Sequence, residues 1–213
     1  MDNPTTNAVT SKTQHIWCSA SIDKRLEDIL TGMIMSRPDV TEYVLYLSTS
    51  GGNPFSAVNL YELFKSQSAT TTAYNMGSIS SAGVTFFLGF QKRVGVPFST
   101  FSIHDTTMRK DFLSNIFPQD VGVADLDLQK SALERTNIQT QRIIVEETSA
   151  RSKEPFDMAS IKQAFRESKN YDSTEAIKFG FIDKTEKPTI PKTDVIYLTE
   201  KSIAELSAAR PQT

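Results

Sequence analysis

The spacing of apolar positions predicts alternating helices and strands in the first half of the chain. Residues 21–36 carry apolar side chains at helical intervals, at Ile22, Leu26, Ile29, Leu30, Met33 and Ile34. Residues 41–53 are rich in β-branched and aromatic side chains and end in paired glycines, which is typical of a buried strand entering a tight turn. The order then recurs, with a helix predicted over 57–67, a strand over 69–77 and a helix over 78–90.

Further strand-like pieces lie between residues 92 and 105. An alternation of this kind predicts βαβ crossovers and a mainly parallel sheet, and therefore the α/β fold class. In such sheets, functional groups collect where strands end and helices begin. Gly51, Gly52, Gly77 and Ser81 all fall at such ends.

The second half of the chain is predicted to be mainly helical. Residues 120–151 contain no proline and one glycine, which predicts a long helix whose apolar stripe is sparse. We expect part of that helix to project and to pack on another subunit. Residues 157–168 predict another helix, Asp172 and Glu175 are spaced as a capping pair for a third, and residues 193–198 predict a strand.

The domain organisation predicted from these elements is a single domain over residues 15–186. Residues 1–14 are expected to form a flexible arm, and residues 187–213 a C-terminal extension. The arm lacks the basic and apolar regions of a signal peptide, so we expect neither a signal peptide nor an anchor. No apolar run reaches the length of about 18 residues that a spanning helix needs, so no membrane partner is expected.

Charge and cysteine content narrow the function classes. The net charge of −2 gives no electrostatic excess for binding nucleic acid, so no nucleic-acid partner is expected. Cys18 is the single cysteine, which excludes an intrachain disulfide and favours a reducing, cytoplasmic location. We interpret Cys18 as a small buried hydrophobic residue. We expect no metal and no cofactor.

Ser81 is the candidate nucleophile. It lies between a predicted strand and a predicted helix, among small residues that allow a sharp turn. A serine hydroxyl needs a base to take its proton, and the chain has two histidines. His15 is expected to lie on the mobile N-terminal arm, whereas His104 ends a strand-like segment, so His104 is the better candidate for the base. The N–H groups of Gly52 and Ala82 are the natural donors for an oxyanion hole.

Four runs of residues resemble the Clp proteolytic-subunit family of serine peptidases, over residues 15–185. They are a paired glycine after a strand, a GxxxSxG turn, a KRxxxP turn before a strand that ends in the base, and an EAxxxG helix. Their members here are Gly51, Gly52, Gly77, Ser81, Gly83, Lys92, Arg93, Pro97, His104, Glu175, Ala176 and Gly180. Lys92 and Arg93 are most simply interpreted as part of a solvated turn, although the resemblance places them near subunit contacts.

The resemblance implies an α/β fold of the ClpP/crotonase-like type, built of repeated ββα units with a protruding long helix. It implies serine endopeptidase activity on unfolded polypeptide, with Ser81 as nucleophile, His104 as base, and Gly52 and Ala82 in the oxyanion hole. It also implies assembly of identical subunits into stacked rings that enclose a chamber, and an AAA+ unfoldase or adaptor is a partner that the family suggests.

One departure concerns the third member of the catalytic triad. The family has an acidic residue seven positions before the glutamate of the EA pair, and that position is Ser168 here (175 − 7). Three alternatives stay open: Glu167 completes the triad, Ser168 orients the imidazole weakly, or assembly switches the enzyme on. Asp172 is a further acidic candidate but is better placed as a helix cap. Asp105 is expected to point the other way along its strand.

A second departure is the loop after the base. Asp105 and Thr106 replace the family's Gln-Pro, and residues 106–120 lack the usual glycines, so docking of the substrate strand is expected to differ.

Two rival hypotheses remain beside an active peptidase. The missing acid at position 168 favours a weak or inactive ring-forming scaffold. The glycine turns also fit a crotonase-type acyl-CoA enzyme.

Overall fold

The computed structural model describes residues 12–105 and 123–208, and these residues form one eight-stranded sheet with seven helices. The strands are β1 (Thr13–Ser19), β2 (Glu42–Thr49), β3 (Thr70–Ser80), β4 (Lys92–Gly95), β5 (Thr100–Ser102), β6 (Asn170–Tyr171), β7 (Lys184–Thr185) and β8 (Val195–Thr199). The helices are α1 (Lys24–Met35), α2 (Pro54–Lys65), α3 (Ala82–Leu88), α4 (Val123–Ser149), α5 (Met158–Arg166), α6 (Ser173–Lys178) and α7 (Glu200–Ala208). Most of the predicted arm, the loop after Asp105 and the start of the predicted long helix lie outside the described residues.

The sheet is parallel except at one edge. Its strand order is β6-β5-β3-β2-β1-β8, and β4 pairs with the first half of β3 and with β7. Only β5 and β6 run antiparallel among the described strands. The helices α1, α2 and α3 follow β1, β2 and β3 in turn, so the predicted crossovers are present. The carboxyl ends of these three strands therefore meet at one edge of the sheet.

Helix starts are fixed by side chains that cap free backbone N–H groups. Asp23 caps α1, and Asn53 caps α2 directly before Pro54. Asp157 and Asp172 each close a capping box, at α5 and α6. The capping role predicted for Asp172 is therefore confirmed.

The core beneath the strand–helix turns is largely aromatic. Phe86 and Phe87 of α3 are fully buried, and Phe90 is 1% exposed. The ring of Phe64 in α2 stacks on Phe90 with centroids 4.4 Å apart, and Phe87 packs on Phe101 of β5. These contacts hold α3, and the turn that begins it, against the sheet.

Among the side chains of α4 that the structure describes, the buried ones all lie in the second half of the helix. From Thr136 onward it buries Thr136, Thr140, Gln141, Ile143, Ile144, Glu147 and Thr148. By contrast, Asp127, Leu128 and Lys130 are exposed, and Leu128 keeps 63% of its surface in solvent. The prediction of a partly projecting helix is confirmed.

The C-terminal residues of the described chain complete the sheet. Strand β8 pairs in parallel with β1, from His15 opposite Val195 to Ser19 opposite Thr199. Helix α7 then packs against α1. The predicted strand in the C-terminal segment is present, and it forms an edge of the same sheet.

The positions of three residues can be compared with the expectations from the sequence. Arg93 was expected in a solvated turn, but it lies in β4 and is fully buried, so that prediction was wrong. His15 was expected on the mobile arm, but it belongs to β1, where its ring stacks on Tyr46, so that prediction was wrong. Cys18 is fully buried as expected, and burial raises the pKa of its thiol to about 12, which leaves the thiolate unpopulated at neutral pH.

The side chain of Arg93 ties β4 to the last turn of α4. Its Nη2 donates a 2.7 Å hydrogen bond to the carbonyl of Glu147, while Nε and Nη1 have no partner among the described residues. Burial lowers the pKa of Arg93 to about 10. The Glu147 carboxylate in turn accepts bonds from Tyr61 and Lys65 of α2. A buried polar network therefore fixes the C-terminal end of the long helix.

Candidate active site

Ser81 lies at a strained turn between β3 and α3. Its backbone has φ 55° and ψ −129°, a combination that residues with a side chain rarely adopt. The N–H of Ser81 donates a 2.8 Å hydrogen bond to the carbonyl of Ser102 in β5, which holds the turn in place. Strain of this kind persists only where surrounding structure maintains it, and it concentrates at functional sites.

The paired glycines pack directly against this turn. Gly51 has φ +97°, and a Cβ added there would lie 2.7 Å from both the carbonyl oxygen of Ser80 and Cβ of Ser81. Gly52 has φ +146°, and a Cβ there would lie 2.2 Å from the carbonyl oxygen of Ile22. The glycine pair is therefore clamped between the Ile22 backbone and the Ser81 turn, with no room for side chains.

Two N–H groups are available beside Ser81. The parallel bridge to Ile22 uses the carbonyl of Gly51 and the N–H of Asn53, so the N–H of Gly52 points to the other side of its strand. Ala82 is the first residue of α3, where an N–H has no acceptor within the helix. The Ala82 nitrogen lies 3.2 Å from the position of a Cβ on Gly51, so the start of α3 packs against the glycine pair.

His104 follows the end of β5. The N–H of Ile103 donates to the carbonyl of Lys169, which carries the β5–β6 pairing one residue beyond Ser102. The Nδ1 of His104 lies 2.8 Å from the carbonyl oxygen of Asp105. Because a carbonyl oxygen can only accept, this bond puts the proton on Nδ1 and leaves the lone pair on Nε2. That tautomer is the one a general base needs.

The other histidine is placed elsewhere. The Nδ1 of His15 lies 3.1 Å from the hydroxyl of Tyr46, and both residues line a separate cavity on the sheet. His15 therefore does not face Ser81.

Ser81 and His104 face one cavity of about 430 Å³. Its remaining walls are Ser21, Ser50, Gly51, Gly52, Pro54, Ala82, Ile103, Thr140 and Phe165. No hydrogen bond joins Ser81 to His104 among the described residues, and such bonds often tighten only when substrate binds. The structure thus places the candidate nucleophile, the candidate base and both candidate donor positions around one cavity.

Ser168 lies between α5 and β6. Phe101 pairs with Tyr171 and Ser102 with Asn170, and the N–H of Ile103 donates to the carbonyl of Lys169, the residue after Ser168. Ser168 is exposed and has φ +50°. The residue at the family's acidic position therefore lies in the segment that leads into β6, and it carries no charge.

The two acidic candidates are engaged elsewhere. Glu167 ends α5, its carboxylate accepts a 2.8 Å bond from Gln163, and it lines a different cavity beside Phe156. The carboxylate of Asp172 accepts the N–H groups of Thr174 and Glu175, both at 2.8 Å. Neither residue lines the cavity of Ser81 and His104.

Asp105 occupies a position that the pattern did not predict. Strand β5 ends at Ser102, so the alternation expected to turn Asp105 away does not extend to it. Its carbonyl accepts from His104, and its Oδ1 lies 3.4 Å from Nδ2 of Asn137 in α4. The walls formed by Thr140 and Phe165 were also missed, because no local signal links α4 and α5 to residues so distant in the chain.

No group of three or more His, Cys, Asp or Glu side chains in residues 12–105 and 123–208 is arranged to hold a metal ion. Across the same residues, no helix is both long and apolar enough to cross a membrane.

Comparisons with known proteins identify the family and the fold. The family model for Clp protease matches residues 5–188. Among solved structures, a mutant form of ClpP1 from Listeria monocytogenes is 15% identical and superposes with a TM-score of 0.68, covering 84% of this chain and 94% of that one. The comparison with curated proteins found no match. The fold is therefore the ClpP/crotonase-like fold that was predicted, and the chain belongs to the Clp protease family.

Proposed function

We propose that this chain is the subunit of a serine endopeptidase that cleaves unfolded polypeptides, with Ser81 as nucleophile and His104 as general base. The observation that carries the proposal is the strained Ser81 turn, which faces the same cavity as His104 and adjoins the donor positions at Gly52 and Ala82. Membership in the Clp protease family supports the reaction type.

The proposed reaction begins with attack by Oγ of Ser81 on the peptide carbonyl carbon while Nε2 of His104 takes the hydroxyl proton. The carbonyl oxygen becomes an oxyanion that accepts hydrogen bonds from the N–H groups of Gly52 and Ala82. The C–N bond then breaks, and His104 returns the proton to the leaving amine. Water attacks the acyl-enzyme by the same route, with His104 again taking and returning a proton.

The shape of the cavity supports an extended polypeptide as substrate. Ile103, Pro54 and Phe165 give it apolar walls next to the reacting groups, and Ser21 and Ser50 give it polar ones. An unfolded chain can present one peptide bond and one side chain to such a space, whereas a folded domain cannot.

Assembly into rings is part of the proposal. Because the first half of α4 leaves the large apolar side chain of Leu128 exposed to solvent in one subunit, it is suited to pack on a second copy. A closed chamber would admit unfolded chains only, and an AAA+ unfoldase or adaptor would deliver them.

Fluorophosphonate labelling tests the proposal, because the probe reacts only with an activated serine. We expect the wild-type protein to be labelled at Ser81 and S81A to stay unlabelled. H104A should react at about one hundredth of the wild-type rate, or more slowly still. S80A is the matched control, since it removes the adjacent hydroxyl and leaves the nucleophile. Equal labelling of wild type and S81A would contradict the proposal.

A second candidate function is a catalytically weak or inactive scaffold within the ring. Ser168 at the family's acidic position favours it, because an uncharged residue stabilises an imidazolium poorly. Intact oligomers in sedimentation that never react with the probe would support the scaffold. Membership in the Clp protease family disfavours the acyl-CoA enzyme.

A further inference from the structure

We propose that Asp105 takes the positioning role that the missing acid would have at this site, and that Asn137 of α4 holds Asp105 in place. This inference rests on the proposed function, since it explains how His104 is oriented for proton transfer from Ser81. It assigns a role to two residues that the family pattern does not use.

The first step is the contact between Asp105 and the imidazole. The carbonyl of Asp105 accepts from Nδ1 of His104 at 2.8 Å. In a serine peptidase the third residue fixes the tautomer and the ring orientation, and it stabilises the imidazolium that forms. The carbonyl dipole of Asp105 does the first two tasks.

The second step is the contact that fixes Asp105. It lies beyond the end of β5, so the strand itself does not hold it. Its carboxylate oxygen Oδ1 lies 3.4 Å from Nδ2 of Asn137, and both groups are partly buried. Asn137 therefore restrains the residue whose carbonyl orients the base.

The third step concerns the face of α4 that makes this contact. Asn137 and Thr140 are three residues apart on the helix and so share one face. Thr140 is 8% exposed and lines the cavity of Ser81 and His104. The same face thus forms a wall of the cavity and holds Asp105, so a shift of α4 would move the base relative to the nucleophile.

A double-mutant cycle tests this arrangement on the full-length protein with a fluorogenic peptide. We expect D105A and N137A each to lower kcat about tenfold, a typical loss for a residue that orients a reacting group, with KM and melting temperature unchanged. The double variant should lose no more than either single one, because both changes break the same chain of contacts. D105N should keep most of the activity, since its amide oxygen can still accept from Asn137.

Q139A is the matched control, because Gln139 is exposed on the same helix near Asn137. It should leave kcat unchanged. If N137A also leaves kcat at the wild-type value, or if the losses in the double variant multiply, the positioning role is wrong.

A spectroscopic measurement separates failure of this inference from failure of the proposed function. With two histidines in the chain, ¹⁵N-histidine NMR resolves the ring of His104, and H15Q assigns it. We expect the neutral ring to carry its proton on Nδ1 in the wild type, and on a mixture of both nitrogens in N137A. A proton on Nε2 in the wild type would overturn the inference, even in a protein that hydrolyses peptides. A proton on Nδ1 in a protein whose Ser81 never reacts with the probe would support the positioning role of Asp105 and contradict the proposed peptidase activity.

Discussion

The backbone of Gly51 packs against the side chain of Ser81: a Cβ on Gly51 would lie 2.7 Å from Cβ of Ser81. The glycine also has φ +97°, a conformation that a side chain makes unfavourable. The turn that presents Ser81, the candidate nucleophile, therefore requires a residue without a side chain 30 positions earlier in the chain (81 − 51).

We expect G51A to lower kcat/KM for a peptide by about a hundredfold, because a displacement of the reacting groups by about 1 Å costs that much. Titration of active sites with a fluorophosphonate and circular dichroism would measure the loss in a folded protein. G77A is the matched control from the same motif, since a Cβ at Gly77 meets nothing within 4 Å. Equal activities for the two variants would contradict the packing argument.

Restoring an acid at position 168 should raise activity. The residue precedes Lys169, whose carbonyl accepts from the N–H of Ile103 next to His104, and its φ of +50° is one that aspartate tolerates. We expect S168D to increase kcat about tenfold, because a carboxylate there would stabilise the imidazolium. S168N is the control that lacks the charge.

In the S168D background, N137A should lower kcat by less than it does in the wild type, since the new carboxylate would orient the ring independently. A rate for S168D no higher than that of S168N would show that position 168 does not reach the base.

Removal of the buried arginine should destabilise the fold without touching the site. R93A would delete the bond to the Glu147 carbonyl and leave a cavity, so we expect a loss of about 3 kcal/mol in the free energy of unfolding. Urea denaturation measures it. K92A, at the exposed neighbouring position of β4, should change the stability by less than about 0.5 kcal/mol.

Phe98 offers a stabilising substitution. It has φ +68° and is 94% exposed, so an aromatic side chain holds a left-handed conformation with little packing in return. Asparagine adopts that conformation more readily, and we expect F98N to gain about 0.5–1 kcal/mol in a thermal melt. F98A keeps the strained backbone and should not gain. A fall in the stability of F98N would mean that Phe98 makes contacts in the assembled protein.

The pattern of the sequence predicted most of the fold because each element obeys its own periodicity. The run before Gly51 is buried on both faces in β2, and the helical spacing over 21–36 matches α1. The glycine pair, Ser81 and His104 could be singled out because they belong to short local motifs. Their joint placement around one cavity follows from the parallel sheet, which brings strand ends together.

The remaining features depend on contacts between distant parts of the chain. Arg93 looked solvated because charged residues are seldom buried, and only the end of α4 explains its position. The position of Asp105 depended on where β5 stops, and a strand of three residues has no pattern to mark its end. Phe165 and Thr140 reach the cavity through tertiary packing alone.

The placement of β8 beside β1 has a consequence for folding. Strand β1 ends at Ser19, and strand β8 begins at Val195, 176 positions later in the chain (195 − 19). Pairing across so long a separation is slow, because the entropy of closing the loop is lost before the strands make contact. Until then the outer edge of β1 stays open as a template for strands of other chains, so newly made molecules are most prone to aggregate before this last pairing forms.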